Sequence, residues 1–315
     1  MTSKTPVIQT NALTKVYKSG RKQKRALFNL DLTVQQGEIF GYLGPNGAGK
    51  TTTIRILLDL IRPTTGHASM LGLDVERHSV ELHQRIGFLP AELSLWDNLT
   101  ANEVVHYVSS VRGGHDANYV ANLADRLEFD MSKSVRSYSS GNKRKLGLIL
   151  AMMNKPELLI LDEPTSGLDP LMQQIFLQLM REVRDDGRSV FLSSHILNEV
   201  QEICDRVGIL RDGQLKEVKT VSELTHSDFR WVTLQYRDPP QIGNLATIPG
   251  VSDISISGNK LKLRLIGDFD PLIRTLDAQY IVDMDVQEPS LEEIFLTYYG
   301  DTHAMQGSHQ MSEEV

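Results

Sequence analysis

The sequence predicts an α/β protein whose core is a mixed sheet, with a helical subdomain inserted into it and a small α+β accessory domain after it. Short apolar runs without polar alternation are typical of strands buried on both faces of a parallel sheet, and helix-like stretches separate these runs. Beyond about Leu224 the pattern changes to short strands with different spacing, which indicates a second domain. We therefore expect domains at residues 1–225 and 226–300, followed by a polar, disordered tail at 301–315.

The core elements come in an alternating order. Glu38 to Leu43 is a mostly apolar run that predicts the first buried strand, and Thr51 to Leu60 then has the spacing of a helix. Two later runs, Leu158 to Leu161 and Ser189 to Ser193, predict further strands covered on both faces. This order of strands and helices indicates a largely parallel sheet.

A helical subdomain is expected at about residues 93–155. Thr100 to Arg112 and Asp116 to Leu127 both have helical spacing. Thr100 followed three residues later by Glu103 matches a capping box, which marks the start of the first of these helices.

The C-terminal segment predicts a ferredoxin-like arrangement of strands and helices. Gly258 and Asn259 supply a turn between two of its strands. The predicted strands are Trp231 to Tyr236, Val251 to Ile256, Lys260 to Leu265 and Ile281 to Val286. The predicted helices are Ile242 to Thr247, Asp270 to Ala278 and Ser290 to Tyr299.

Composition limits the compartment and the partners. The net charge of −7 makes the average surface repel nucleic acid, so no nucleic-acid partner is expected. A single cysteine, Cys204, suits a reducing cytosol, and the N-terminus lacks the apolar core of a signal peptide. The longest apolar run, Leu146 to Met153, is too short to span a membrane, so a cytoplasmic location is predicted. The basic run Lys18 to Arg25 is interpreted as a solvated loop, with phosphate or headgroup contact as the alternative.

A phosphate-binding loop is predicted between the first strand and the first helix. Its glycines allow the backbone N–H groups to point at phosphate oxygens, and the helix that follows adds its dipole. Lys50 is expected to reach the β- and γ-phosphates and the Thr51 hydroxyl to ligate Mg²⁺. The alternative is a glycine-rich turn with a surface lysine. The residues are Gly44, Pro45, Asn46, Gly47, Ala48, Gly49, Lys50 and Thr51, which fit the pattern G-x-x-x-x-G-K-[ST], with Thr52 next to them.

Two acids follow the buried strand at Leu158 to Leu161. Ligands of such sheets bind at this end of the strands. Asp162 is expected to hold Mg²⁺, and Glu163 to act on the attacking water as a general base or orienting group. Solvated acids at a strand end are the alternative, which the neighbouring phosphate loop disfavours.

Further motifs make the chain resemble the ABC ATPases over roughly residues 5 to 225. Ser139, Ser140, Gly141 and Asn142 resemble the signature motif of that family, usually written L-S-G-G-Q. Asp169 lies in a segment that is similar to the D-loop, and His195 occupies the place of the switch histidine. Tyr17, which is expected to precede the first long strand, matches the aromatic residue that stacks on adenine, with ordinary burial as the alternative. The resemblance implies the P-loop NTPase fold of the ABC ATPase type, with ATP and Mg²⁺ as ligands.

The resemblance also implies a shared active site. Ser139 and Gly141 would present N–H groups and a helix dipole to the γ-phosphate of ATP held by the opposite subunit. A chain with one phosphate loop and one signature completes two sites by pairing with another copy, so a two-fold homodimer with ATP between the halves is expected. His195 would contact the γ-phosphate, and Asp169 would link the two sites.

Two positions depart from the family pattern. Ser140 and Asn142 replace the usual glycine and glutamine of the signature, and Gly141 is expected to matter more because a Cβ restricts close approach. In the segment similar to the Q-loop, Ala91 stands where glutamine is usual. Glu92 is a candidate substitute for that glutamine, with a purely structural role as the alternative.

The C-terminal end suggests the membrane partner. Glu288 to Leu296 resembles the closing motif of ATPase subunits paired with ABC-2-type permeases, which mostly export. The resemblance implies an ATPase that energises a separate integral membrane permease, peripheral on the inner face of the membrane. Trp96 either lines the groove for that partner or packs in the core. The alternatives are a nucleotide-gated clamp on a ribosome or nucleic acid, and a module that holds ATP without turnover, which conflicts with Glu163 and His195.

Overall fold

The computed structural model describes residues 5–19, 22–194, 196–225, 229–240, 245–276 and 280–288. The chain folds into two compact units, Met1–Thr220 and Val221–Val315. The predicted domain limits, which divide the chain after residue 225, stay a prediction. Within the described ranges, no helix is both long enough and apolar enough to span a membrane.

The first unit combines two sheets with helices. Its strands are β1 (Pro6–Ser19), β2 (Lys22–Gln35), β3 (Ile39–Leu43), β4 (Thr65–Met70), β5 (Leu73–Asp74), β6 (Ile86–Leu89), β7 (Leu158–Asp162), β8 (Ser189–Ser194), β9 (Arg206–Arg211) and β10 (Gln214–Thr220). Its helices are α1 (Lys50–Leu57), α2 (Ser79–Arg85), α3 (Ala101–Arg112), α4 (Ala117–Arg126), α5 (Ser140–Met152), α6 (Pro170–Asp185) and α7 (Leu197–Ile203), with a 3₁₀ turn at Val135–Ser137.

The larger sheet has the order β10-β9-β3-β8-β7-β6, and its strands run parallel except for β10. Every residue of β3, β7 and β8 is buried, which confirms the prediction of strands covered on both faces. Asp162 pairs with Ser193 and Leu43 with Ser194, so β3, β7 and β8 all end at one edge of the sheet. This edge carries the phosphate loop and the acidic pair.

The smaller sheet, β2-β1-β4-β5, is antiparallel and corrects two expectations. Tyr17 does not precede the first long strand but lies inside β1, where it pairs with Lys24 of β2. The described residues of the basic run, 18–19 and 22–25, likewise belong to β1 and β2 and not to a loop, and residues 20 and 21 lie outside the described part. Register shifts between Thr10 and Val16 interrupt the side-chain alternation of β1, which hides the strand in the sequence.

The helices of the subdomain begin where the sequence predicts. The Thr100 hydroxyl accepts from the Glu103 amide at 3.2 Å, and the Glu103 carboxylate accepts from the Thr100 amide at 2.7 Å, which is the capping box expected for α3. In contrast, α1 ends at Leu57, short of the predicted Leu60. The chain turns there because Asp59 adopts a left-handed φ of 56°.

The second unit contains an antiparallel sheet of order β12-β13-β11-β14, and Val232, Leu234, Leu261 and Leu263 are fully buried in its core. The strand first in sequence and the third are therefore central, as a ferredoxin-like arrangement predicts. A 3₁₀ helix at Leu245–Thr247 stands in place of the predicted helix Ile242 to Thr247, of which residues 242–244 are not described. The elements are α8 (Val221–Thr225), β11 (Phe229–Tyr236), β12 (Val251–Ser257), β13 (Lys260–Ile266), α9 (Asp270–Thr275) and β14 (Ile281–Gln287). The predicted helix Ser290 to Tyr299 and the tail lie outside the described residues.

Candidate functional site

The phosphate loop connects the end of β3 to the start of α1. The helix begins at Lys50, directly after Gly49, which has a left-handed φ of 115°. A Cβ at Gly49 would lie 2.7 Å from the carbonyl oxygen of Ala26, so only glycine fits this approach. The backbone geometry that the glycine pattern predicts is therefore required by packing as well.

Lys50 joins the phosphate loop to the carboxylate of Glu163. Its side chain is buried, and its Nζ donates to the carbonyl oxygen of Gly44 at 2.6 Å. The same Nζ forms an ion pair with Glu163 Oε1 at 3.5 Å. The structure thus places the predicted phosphate-binding cation and the predicted general base side by side.

A second contact joins the loop to the acidic pair. The Thr51 hydroxyl donates to Asp162 Oδ2 at 3.0 Å. The Ser193 hydroxyl of β8 donates to the other oxygen of Asp162 and accepts the amide N–H of Glu163 at 3.2 Å. The sequence analysis does not assign a role to Ser193, because its contact depends on the register between β7 and β8.

Glu163 has a left-handed backbone, with a φ of 51°. A non-glycine residue in this region costs on the order of 1–3 kcal/mol, and such residues concentrate at functional sites. Its amide N–H bonds to the Ser193 carbonyl at 3.1 Å, and its carbonyl accepts from Arg144 at 2.7 Å. The turn that carries the carboxylate is therefore held on both sides.

An open cleft lies over the phosphate loop. Tyr17 lines it and is 39% exposed, and the ammonium of Lys15 lies 5.3 Å from its ring centroid. Lys24, in the basic run, also lines the cleft, which favours the phosphate alternative for that residue. The other lining residues are Ala26, Pro45, Asn46, Gly47, Gly49, Lys50, Thr51, Thr52, Ala91 and Glu163.

Glu92 lies beside the residues predicted to hold the metal. It is exposed and lines a second cavity that also contains Thr51 and Asp162. Ala91 contributes to both cavities. The segment similar to the Q-loop therefore borders the site through a carboxylate, in place of the usual amide.

The signature residues begin α5. The Ser139 hydroxyl caps the helix by accepting the Asn142 amide at 3.3 Å. A Cβ at Gly141 would lie 2.7 Å from the Gly167 carbonyl oxygen, so the helix start packs tightly on the segment similar to the D-loop. Residues 139–142 are all described, and none of them lines the cleft over the phosphate loop.

The last two predicted site residues are Asp169, which the structure describes, and His195, which it does not. The Asp169 carboxylate accepts the Met172 amide at 3.0 Å and caps α6, while the residue stays exposed. This contact gives Asp169 a structural role within its own chain. His195 lies outside the described residues.

The arrangement at this edge of the sheet defines a class of protein. A glycine-rich loop enters a helix, its lysine and threonine meet two carboxylates, and the parallel strands end at the same place. These are the parts that bind a nucleoside triphosphate and cleave its terminal phosphoryl group. The first unit is therefore a P-loop NTPase.

Comparisons with known proteins identify the branch of this class. Residues 27–166 match the family model for the ABC transporter. The chain is 36% identical over 236 residues to the uncharacterised ABC transporter ATP-binding protein YcbN of Bacillus subtilis, covering 73% of this chain and 75% of the relative. It is 37% identical to the bacitracin transport ATP-binding protein BcrA of Bacillus licheniformis, covering 74% and 76%. A solved ATP-binding subunit of an ABC transporter superposes with a TM-score of 0.63 at 28% identity, covering 69% of this chain and 91% of that one.

The chain belongs to the ABC transporter ATP-binding proteins. It is an ATPase subunit that binds and hydrolyses ATP and energises a separate membrane permease. The fold, family and activity predicted from the motifs are confirmed.

Proposed function

We propose that two copies of this chain hold two ATP molecules between them, each bound by the phosphate loop of one copy and the signature of the other. The observation that carries the proposal is the composition of the cleft. The cleft collects Lys50, Thr51 and Glu163 from one chain, whereas the described signature residues 139–142 lie outside it. A second copy supplies the missing donors when it pairs about a two-fold axis. A solved bacterial ABC transporter cassette is described as dimeric, which supports this assembly.

Three residues of the cleft and two of the partner's signature then have roles in ATP binding and hydrolysis. Lys50 binds the β- and γ-phosphates, and Tyr17 supplies a ring on which adenine stacks. Glu163 takes the proton of the attacking water or orients that water. Ser139 and Gly141 of the partner copy donate N–H groups to the γ-phosphate through the start of α5. Removal of the γ-phosphate breaks the link between the copies.

Mg²⁺ fits the oxygen atoms present at the loop. Thr51 Oγ1 and Asp162 Oδ2 lie 3.0 Å apart, and both are hard oxygen donors of the kind Mg²⁺ prefers. We propose that these two residues hold the ion, with Glu92 as a further oxygen donor through water. When bound, the ion neutralises charge on the β- and γ-phosphate oxygens.

His195 is proposed to contact the γ-phosphate, and the second oxygen of Asp169 is proposed to reach across the dimer.

The permease is proposed to insert a cytoplasmic helix into an apolar groove of the first unit. Leu60, Val80 and Val111 line this groove and are 59%, 75% and 72% exposed. Exposed apolar patches of this kind mark protein interfaces, and an amphipathic helix suits a hydrophobic groove. Trp96 is 50% exposed and meets Tyr107 edge-on at 5.0 Å, so core packing is the wrong interpretation of Trp96.

An ABC-2-type permease and export are proposed from relatives and from the closing motif. The linearmycin resistance ATP-binding protein LnrL of Bacillus subtilis is 29% identical, covering 89% of this chain and 95% of the relative. Together with the bacitracin transport protein, it favours a branch that moves antibiotics out of the cell. The proposed location is cytoplasmic, on the inner face of the membrane. Of the closing motif, only Glu288 lies within the described residues.

Substitution of the catalytic carboxylate tests the proposal. Glu163→Gln removes the proton acceptor but keeps the size of the side chain. We expect ATP turnover to fall at least ~100-fold, equivalent to about 2.7 kcal/mol of barrier lowering, while ATP-bound dimers accumulate. Steady-state ATPase assays and size-exclusion chromatography with light scattering measure the two effects.

A matched control is Glu157→Gln just before β7, where the carboxylate pairs with Arg85 on the surface. That variant should keep turnover within about twofold, since exposed pairs contribute little. Equal turnover in Glu163→Gln and the unmutated chain would show that Glu163 is not the catalytic base. Failure of ATP to drive dimers of Glu163→Gln would contradict the shared site.

A further inference from the structure

Arg144 is a buried arginine in α5, the helix that begins at the signature, and it is 5% exposed. Its guanidinium donates to the carbonyl oxygens of Pro90 at 2.6 Å and Ala91 at 3.1 Å. It also donates to the carbonyl of Glu163 at 2.7 Å and, more weakly, to that of Ser166 at 3.4 Å. One side chain of α5 thus reaches two further segments that approach the ATP site.

The charge of Arg144 is costly to bury and is compensated locally. Burial lowers the pKa of the guanidinium, and the nearby negative charges of Asp162 and Glu163 act in the opposite direction. An arginine nevertheless stays protonated in proteins. Its planar fork of five N–H groups matches several carbonyls at once, which the point charge of a lysine does not.

The contact with Glu163 bears directly on catalysis. Glu163 has the left-handed backbone described above, and Arg144 holds the carbonyl of this same residue. The position of the Glu163 carboxylate therefore depends on where α5 lies. The contacts with Pro90 and Ala91 fix the segment that leads to Glu92 and lines the cleft through Ala91.

We propose that Arg144 is a positioning residue for ATP hydrolysis, which ties the signature helix and the segment Pro90–Ala91 to the main chain of Glu163. The residue touches neither ATP nor the attacking water. Its guanidinium keeps the three segments in one arrangement, so that docking of α5 onto the partner's ATP brings Glu163 to its working position. This inference rests on the proposed role of Glu163.

Two variants and a control test the role. Arg144→Met keeps an unbranched side chain about as long as the arginine stem and removes all donors, whereas Arg144→Lys keeps the charge and loses the fork. We expect kcat to fall about 10- to 100-fold in the methionine variant and about 3- to 10-fold in the lysine variant, with the Kd for ATP unchanged within about twofold. Arg126→Gln is the control, because its guanidinium pairs with Glu182 at 2.6 and 2.8 Å on the surface. Its kcat should stay within about twofold.

A double-mutant cycle separates positioning from a general loss of structure. In the Glu163→Gln background, single-turnover hydrolysis should respond to Arg144→Met by less than about twofold, because the carboxylate on which Arg144 acts is gone. A purely structural arginine would lower the rate by the same factor in both backgrounds, and that result would overturn the proposal.

Hydrogen exchange supplies a second readout in the full chain. Loss of the fork should speed exchange at the amides of Ala91, Glu92, Glu163, Thr165 and Ser166, with α4 unchanged. An unchanged kcat in folded Arg144→Met would also overturn the proposal. If Arg144→Met does not fold, the double-mutant cycle with Glu163→Gln is measured with Arg144→Lys in its place. An equal loss of rate in both backgrounds then overturns the proposal, and a loss confined to the Glu163 background supports it. Failure of the proposed function appears separately, as normal turnover in Glu163→Gln alone.

Discussion

At the scale of single residues, the signature positions 140 and 141 differ in the space around them. Ser140 stands where the family usually has glycine, and the residue is exposed, so its side chain has room. Gly141 has no such room, since a Cβ there would lie 2.7 Å from the Gly167 carbonyl. The expectation that Gly141 matters more than Ser140 remains a prediction, and contact within the chain now supplies a reason for it.

Gly141→Ala should shift the start of α5 away from Gly167. Overpacking of this kind costs about 1–3 kcal/mol, and the shift displaces the N–H groups proposed to meet the partner's ATP. We expect a lower unfolding midpoint in urea and an ATPase rate reduced about tenfold, with ATP affinity of the phosphate loop retained. The control is Lys143→Ala in the same helix, which removes only a surface pair with Asp97 at 3.1 Å. A Gly141→Ala protein with unchanged stability and turnover would contradict this account.

At the scale of elements, the start of α3 is determined locally. Thr100 and Glu103 exchange hydrogen bonds across one turn, and α3 ends at Gly113, which has a left-handed φ of 84°. The sequence predicts the start of this helix because both partners of the capping box lie three residues apart. The strand β1 shows the opposite case, because its register shifts follow from its neighbours β2 and β4.

Thr100→Ala should loosen the first turn of α3. Loss of an N-cap hydroxyl costs about 1 kcal/mol, which corresponds to amide exchange about fivefold faster in that turn. Hydrogen exchange of the α3 amides measures the change, and Thr100→Ser should restore the slow rate because serine also caps. Equal exchange rates in the alanine and serine variants would show that the hydroxyl does not stabilise the helix.

At the scale of the whole molecule, surface charge and the apolar groove together favour a membrane-protein partner. The chain carries a net charge of −7, which disfavours the phosphate backbone of a ribosome or of DNA. The groove lined by Leu60, Val80 and Val111 offers an apolar surface to a helix. The net charge and the apolar groove each depend on many residues of the folded chain and not on a single motif.

Purification of the tagged full chain from its natural host, followed by mass spectrometry, tests the partner. We expect a multi-spanning membrane protein to be retained, and Val111→Glu to reduce its yield about tenfold, because a charge in the groove opposes burial. Ile273→Glu places the same charge at an exposed apolar site of the second unit and should retain the permease. Retention of ribosomes or nucleic acid without a membrane protein would favour the clamp instead.

The motifs proposed to carry the chemistry of this ATPase are each short runs of neighbouring residues. The phosphate loop, which ends in Lys50 and Thr51, is one contiguous motif, and the pair Asp162–Glu163 is another. The backbone geometry and charge of each motif can therefore be predicted from its own residues, without knowledge of the elements that pack around it. The buried strands that carry these motifs can also be predicted from the sequence, because a strand covered on both faces is apolar throughout.

Only the tertiary structure decides how distant segments meet. Ser193 bridges Asp162 and Glu163 because β7 and β8 pair in a particular register, and Arg144 reaches Pro90 and Glu163 because α5 packs beside both. No spacing in the sequence encodes such contacts, since each depends on where two separately folded elements come to lie. The position of Tyr17 within β1, opposite Lys24 of β2, has the same origin: irregular strand pairing is set by the partner strand and not by local preference.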